Sequence, residues 1–248
     1  VPPDEAAAEH EYPHHEHHHR NIQGGAARAA VFGFSDGLVS NVALILGVAG
    51  ADPAPSVVRL AGLAGLLAGA FSMAAGEYVS MRAQAELLER ELDLERIELA
   101  RRPEHERREL AAIYRSRGVE AGVADELAAG MMRTPDMALQ THAREELGID
   151  PDELGSPVTA AVSSFFTFGL GALAPLVPWF LTEGGAATMA SLLVAAVMAL
   201  GAGFALARAT DRPWPWPAFR QLLIAVVAAG FTFMVGRLVG VGAAAVSG

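Results

Sequence analysis

Five stretches of this chain, 28–50, 57–81, 157–180, 186–208 and 219–240, are apolar over the length of a bilayer crossing. About 20 such residues suffice for a helix to traverse the hydrocarbon. Inside lipid a helix bonds all its backbone groups internally, so the pattern predicts an all-α membrane protein with five transmembrane helices. Hydrophobic residues make up 52% of the chain and the mean hydropathy is +0.31, yet 19% of residues are charged. That charge is segregated, most of it lying in 82–153 and in the first twenty residues. The domain plan follows from it: a His-rich, disordered tail at 1–27, spans one and two at 28–81, an acidic helical insert at 82–150, and spans three to five at 151–248.

The second span changes character without ending. Its apolar half, Gly-Ala-Phe-Ser-Met-Ala-Ala-Gly-Glu-Tyr-Val-Ser-Met, runs from Gly69, and at Arg82 it passes into Arg-Ala-Gln-Ala-Glu-Leu-Leu-Glu-Arg-Glu with no Gly or Pro at the junction. One helix is predicted to run from lipid into water, to about Arg101. Met73 and Glu77 lie four apart on its apolar half and so share a face. In an apolar helix a Met usually packs, but one turn from a carboxylate it is also a candidate soft ligand. In the first span Asp36 interrupts the apolar run about two turns in, with Gly33, Gly37 and Ser40 around it. An ionised carboxylate there costs at least ~2.5–3.5 kcal/mol on insertion scales, so Asp36 is expected to face protein, water or a cation. Gly62, Gly65 and Gly69 of the second span predict close helix packing, and Ser56 is a candidate cap for its start.

Residues 82–150 carry sixteen acids and eleven Arg. Pro103 fits the first turn of a second helix ending near Gly118. A third is predicted over 119–132 with Val119, Val123, Leu127 and Met131 on its inner stripe. Thr134-Pro135 opens a fourth, which ends at Gly148. Much of this charge reads as a solvated face with i,i+4 pairs such as Glu86–Arg90 and Glu98–Arg102. Glu95-x-x-Glu98 and Glu106-x-x-Glu109 differ in pairing carboxylates three apart. Folded back across Arg102–Pro103, the two pairs are placed to meet around a hard or borderline cation.

The remaining composition narrows the chemistry. There is no Cys, so disulfides and thiolate metal sites are excluded. All 18 basic residues are Arg, and the net charge of −10 argues against a nucleic-acid partner. Six of the eight His fall in residues 1–20, a density that chelates divalent metal. The same residues lack the basic start of a signal peptide. Arg is concentrated before span one, after span two, and between spans four and five. By the positive-inside rule this places the N-terminus and the insert in the cytosol. Trp214 and Trp216 fit an aromatic belt before the last span.

Three strings carry a family resemblance: Phe32-Gly-Phe-Ser-Asp36-Gly-Leu-Val-Ser-Asn41, Ser72-Met-Ala-Ala-Gly-Glu77-Tyr-Val-Ser80, and the acidic helices ending in His142-Ala-Arg-Glu-Glu146-Leu-Gly. From about residue 20 onward the chain resembles the vacuolar iron transporter family. The resemblance implies five spans and a homodimer in the bilayer. It implies export of Fe2+, and often Mn2+, from the cytosol in exchange for protons. Asp36 and Met73 would line the path at the dimer interface with Glu77 nearby. Residues 82–150 would form a cytosolic metal-binding domain with Glu95, Glu98, Glu106, Glu109 and Glu146 as ligands. His142-Ala143 stands where the eukaryotic pattern has a Met pair, which makes His142 a candidate ligand in place of a thioether. No permanently bound cofactor is expected. Fe2+ and Mn2+ are the expected transported or regulatory ions, with Zn2+ and Co2+ as further candidates. The short, bacterial-style form points to a plasma membrane.

Two other classes compete. A membrane di-iron oxidase needs Glu-x-x-His pairs on facing helices, and the matches, Glu11…His14 and Glu16…His19, lie in the tail. A membrane-anchored metal buffer or sensor needs no charge within a span, which Asp36 supplies. The expectation is a transporter, not an enzyme.

Overall fold

The structure is a computed structural model, and residues 25–148, 150 and 155–247 are described. The His-rich run at 10–19 lies outside them. Nine helices are present among the described residues: α1 (Gly25–Gly50), α2 (Pro55–Arg101), α3 (Pro103–Ser116), α4 (Ala121–Met131), α5 (Pro135–Glu145), α6 (Pro157–Leu176), α7 (Pro178–Leu181), α8 (Gly184–Ala209) and α9 (Pro215–Ser247). Five of them, α1, α2, α6, α8 and α9, are long and apolar enough to cross a membrane. The all-α, five-span architecture expected from the apolar runs is the one observed.

Helix α1 is the centre of the bundle and touches α2, α6, α8 and α9. Its Leu38, Val42 and Leu46 pack on Ala195 and Ala199 of α8 and on Ala225 and Ala229 of α9. Ile45 joins Val58 of α2, Leu176 of α6, Trp179 of α7 and Ala187 of α8. Lipid tails are as apolar as these side chains, so close van der Waals contact has to hold such helices together, and small residues allow it. At the α1–α6 crossing a Cβ on Gly37 would strike the Phe168 carbonyl, and one on Gly171 would strike the Phe34 carbonyl. The outward faces stay apolar, with Phe71, Leu170, Val197 and Phe231 exposed where lipid would cover them.

Helix α2 is 47 residues long, about 70 Å at 1.5 Å per residue. Its first half belongs to the bundle and its second half carries α3, α4 and α5. It stops at Arg102, whose φ of −137° and ψ of 48° leave the helical region; a residue before proline is pushed out of it by the ring that follows. Leu110, Ala111 and Tyr114 of α3 pack on Ala124 and Ala128 of α4. Thr134 caps α5 by accepting from the Met137 N–H, with Pro135 in the first turn, as the sequence predicts. Gly118 and Gly148 close their helices at positive φ, 94° and 66°.

Several local expectations are corrected. Ser56 does not cap α2: Pro55 occupies the first turn and Ala54 precedes it with no side-chain cap. The third span ends earlier than 180: α6 carries Pro175 in its last turn and stops at Leu176, ahead of Pro178, which lacks an N–H. A single turn, α7, follows, and Ser191 of α8 donates to the Pro175 carbonyl at 2.6 Å. The last span begins earlier, at Pro215, so Trp216 falls inside its first turn. Of the expected inner stripe, Val119, Leu127 and Met131 pack against the α3–α4 core, whereas Val123 is exposed and Ala124 and Ala128 are the residues fully buried against α3. Glu86 pairs with Arg82 and not with Arg90, and Arg96 pairs with Asp93.

Candidate functional site

Two groups of polar residues stand out, one within the spans and one in the insert. The first lines a cavity of about 300 Å3 between α1, α2 and α6. Asp36, Ser40 and Asn41 come to it from α1, and Gly65, Gly69, Ser72 and Met73 from α2, with Phe168 of α6 below. The glycines make the room: a Cβ on Gly69 would meet the Phe168 ring, and one on Gly65 would meet Leu44. Asp36 and Met73, assigned from sequence to one path, therefore share one cavity. The Asp36 side chain is exposed in the single chain, so the cavity opens sideways from the bundle.

Glu77 does not line that cavity. It lies one turn further along α2, largely buried, and accepts from the Arg28 guanidinium at 2.6 Å. This partner was missed from sequence. The signal was available in the hairpin: Arg28 lies about as far from the turn at Asp52 along α1 as Glu77 does along α2. Ser40, noted beside Asp36 in the sequence, is joined in the cavity by Asn41 and Ser72, which were given no role there although each is a polar side chain in an apolar run.

In the insert, α2, α3 and α5 converge on Glu95, Glu106, His142 and Glu146, whose candidate ligand atoms all lie within 4.8 Å of one another. Glu95 and Glu106 are each 4% exposed and His142 is wholly buried. The His142 Nδ1 lies 3.1 Å from Glu95 Oε1 and 3.4 Å from Glu146 Oε2. Burial opposes a charge on this ring, but the Glu95 and Glu146 carboxylates outweigh it and hold the imidazole above its ordinary pKa. Glu146 is also raised, first by burial and then by Glu95 and Glu109, against the lowering effect of His142. Among the described residues the buried His142 Nε2 has no hydrogen-bond partner. Three carboxylates converging on one buried imidazole repel each other unless a proton or a cation sits among them. Carboxylate oxygen and imidazole nitrogen together suit Fe2+, Mn2+, Zn2+ or Co2+.

The two Glu-x-x-Glu pairs do not meet as a quartet. Glu95 and Glu106 reach the buried cluster, Glu109 groups with Glu106 and the exposed His105, and Glu98 is exposed and belongs to neither group. Residues three apart share a helix face only approximately, and here Glu106 and Glu109 stay together while Glu98 lies outside both groups.

The sequence profile of the VIT family matches residues 27–237. A vacuolar iron transporter of Acanthamoeba castellanii is 38% identical over 194 residues, covering 75% of this chain and 70% of that protein. Vacuolar iron transporter 1 of Oryza sativa subsp. japonica is 32% identical over 210 residues, 84% of this chain and 83% of its own. Vacuolar iron transporter 1 of Arabidopsis thaliana is 28% identical over 227 residues, 91% and 90%. The match runs through the five spans and the insert alike, and on that basis the chain belongs to the VIT family.

Proposed function

We propose that this protein carries Fe2+, and also Mn2+, out of the cytosol through the α1–α2–α6 cavity in exchange for protons. The observation that carries the reading is the placement of Asp36 and Met73 in one cavity between membrane-spanning helices. Relatives named vacuolar iron transporters supply the substrate class. A carboxylate on such a route can hold either a proton or a cation, because desolvation favours its neutral form and a nearby cation its charged form. That competition is sufficient for antiport.

The insert collects the ion. Glu95, Glu106, His142 and Glu146 bind it on the cytosolic side, a siding that the Arg distribution supports. The same helix leads on to Glu77, about 27 Å away at 1.5 Å per residue. There the ion displaces Arg28 from the carboxylate before reaching Met73 and Asp36. The sideways exposure of Asp36 supports a homodimer, since a charge on the flank of a span needs protein or water against it. The host membrane in this reading is the plasma membrane.

The test is Fe2+ uptake into sealed proteoliposomes with a pH dye in the lumen. Antiport predicts that each entering ion drives protons out, so the lumen turns alkaline in step with uptake. It also predicts that an acidic lumen accelerates uptake. Metal entry with no lumenal pH change, indifferent to the gradient, would contradict the coupling.

A further inference from the structure

One buried group in the cavity is not used by the account above. Asn41 is 2% exposed, and its Nδ2 donates to the Ala172 carbonyl of α6 at 2.7 Å. That bond fixes which way the amide faces, since the flipped amide would set two carbonyl oxygens against each other. The Oδ1 atom is buried and has no hydrogen-bond partner among the described residues. It lies against Gly65, where an added Cβ would come within 3.0 Å of it. Asn41 and Gly65 both line the cavity that holds Asp36 and Met73. Ser40, which also lines the cavity, donates its proton to the Asp36 backbone carbonyl at 2.6 Å, so its oxygen remains available only as an acceptor.

We propose that the side-chain carbonyl of Asn41 is a ligand to the crossing ion, held in its liganding orientation by α6. A buried carbonyl with nothing donating to it is an expensive arrangement, and a cation is the partner that relieves it. The surrounding polar atoms agree in sign. The Asp36 carboxylate, the Ser40 oxygen and the Met73 sulfur are acceptors, and among the described residues neither Arg nor His lines the cavity. Oxygen from Asn41 and Asp36 with sulfur from Met73 makes a mixed hard and soft set, suited to a borderline ion that has shed part of its water.

This inference rests on transport through the cavity, and the experiment separates the two. Fe2+ flux is measured in proteoliposomes for wild type, Asp36→Asn, Asn41→Leu, Asn41→Asp and Gly65→Ala, each checked for thermal stability. Both Asn41 variants lose the bond to Ala172, but only Asn41→Asp keeps an oxygen where the amide oxygen was. The proposal expects Asn41→Leu to raise the KM for Fe2+ more than about tenfold, the scale on which lost metal-site partners act. Asn41→Asp should stay at or below the wild-type KM. Gly65→Ala, which leaves the bond to Ala172 but presses on the movable end of Leu44 and crowds Oδ1, should raise KM severalfold. Wild-type behaviour of Asn41→Leu, or an equal loss in Asn41→Leu and Asn41→Asp, would overturn the proposal, the latter by showing that Asn41 acts only through its bond to α6. If Asn41→Leu does not fold, an unchanged KM in Gly65→Ala overturns it. Absent wild-type flux, or full flux in Asp36→Asn, would instead strike the transport reading beneath it.

Discussion

His142 sets the chemistry of the insert because it is wholly buried among acids. Its raised pKa means that the folded, metal-free protein binds a proton there more tightly than the unfolded chain does. The stabilisation is therefore complete below the ordinary histidine value and is lost as pH rises through the higher folded value. Glu146, also raised, works in the same direction, since its ionisation at rising pH is disfavoured in the fold. In excess chelator, thermal stability of the insert should fall from pH 6 to pH 8.5, and His142→Gln should flatten that slope. A slope unchanged by His142→Gln would remove the ring from the account. With metal present, His142→Ala should weaken Mn2+ or Co2+ binding to the full chain by at least the ~10–100-fold that loss of an outer-shell partner costs. Calorimetric titration reads this directly. Glu98→Gln, at an exposed position outside both acid groups, should change binding little.

At the scale of elements, the α1–α6 crossing depends on glycine. A Cβ on Gly37 would press on backbone at Phe168, which cannot swing away as a side chain can. Gly37→Ala should cost about 1–3 kcal/mol, the range for overpacking, and thermal denaturation in detergent measures it. Gly130 in α4 has open space around it, so Gly130→Ala should stabilise by about 0.5–1 kcal/mol on helix propensity. The elements themselves were legible in the sequence. Apolar run length revealed the spans, the Arg102–Pro103 step ended α2, and Thr134-Pro135 opened α5. What escaped were features that depend on which face of one helix meets another. Val123 turned outward on α4 while Ala124 turned inward, and Glu98 turned away from both acid groups. Residue spacing places side chains along a helix, but only the neighbouring helix decides which are covered. For the same reason Arg28 and Asn41 went unnoticed, since their partners, Glu77 and Ala172, lie on other helices.

The whole molecule joins two chemistries through one helix. α2 lines the cavity with Met73, pairs Glu77 with Arg28 at the cavity's near end, and delivers Glu95 to the buried acid cluster. A division of labour follows. Neutralising Glu95, Glu106 and Glu146 together should slow uptake at low metal while leaving flux at saturating metal largely intact, because collection and crossing occur at different places. Equal loss at both concentrations would mean that the insert belongs to the crossing step itself. The central claim is that the ion passes Asp36, and one comparison tests it most directly: Fe2+ flux into proteoliposomes by wild type and by Asp36→Asn, at equal protein and with the insert untouched. The account predicts robust wild-type flux and a loss of more than about 100-fold in Asp36→Asn, well beyond the effect of an outer-shell change, with metal binding by the insert preserved. Flux in Asp36→Asn equal to wild type would contradict it.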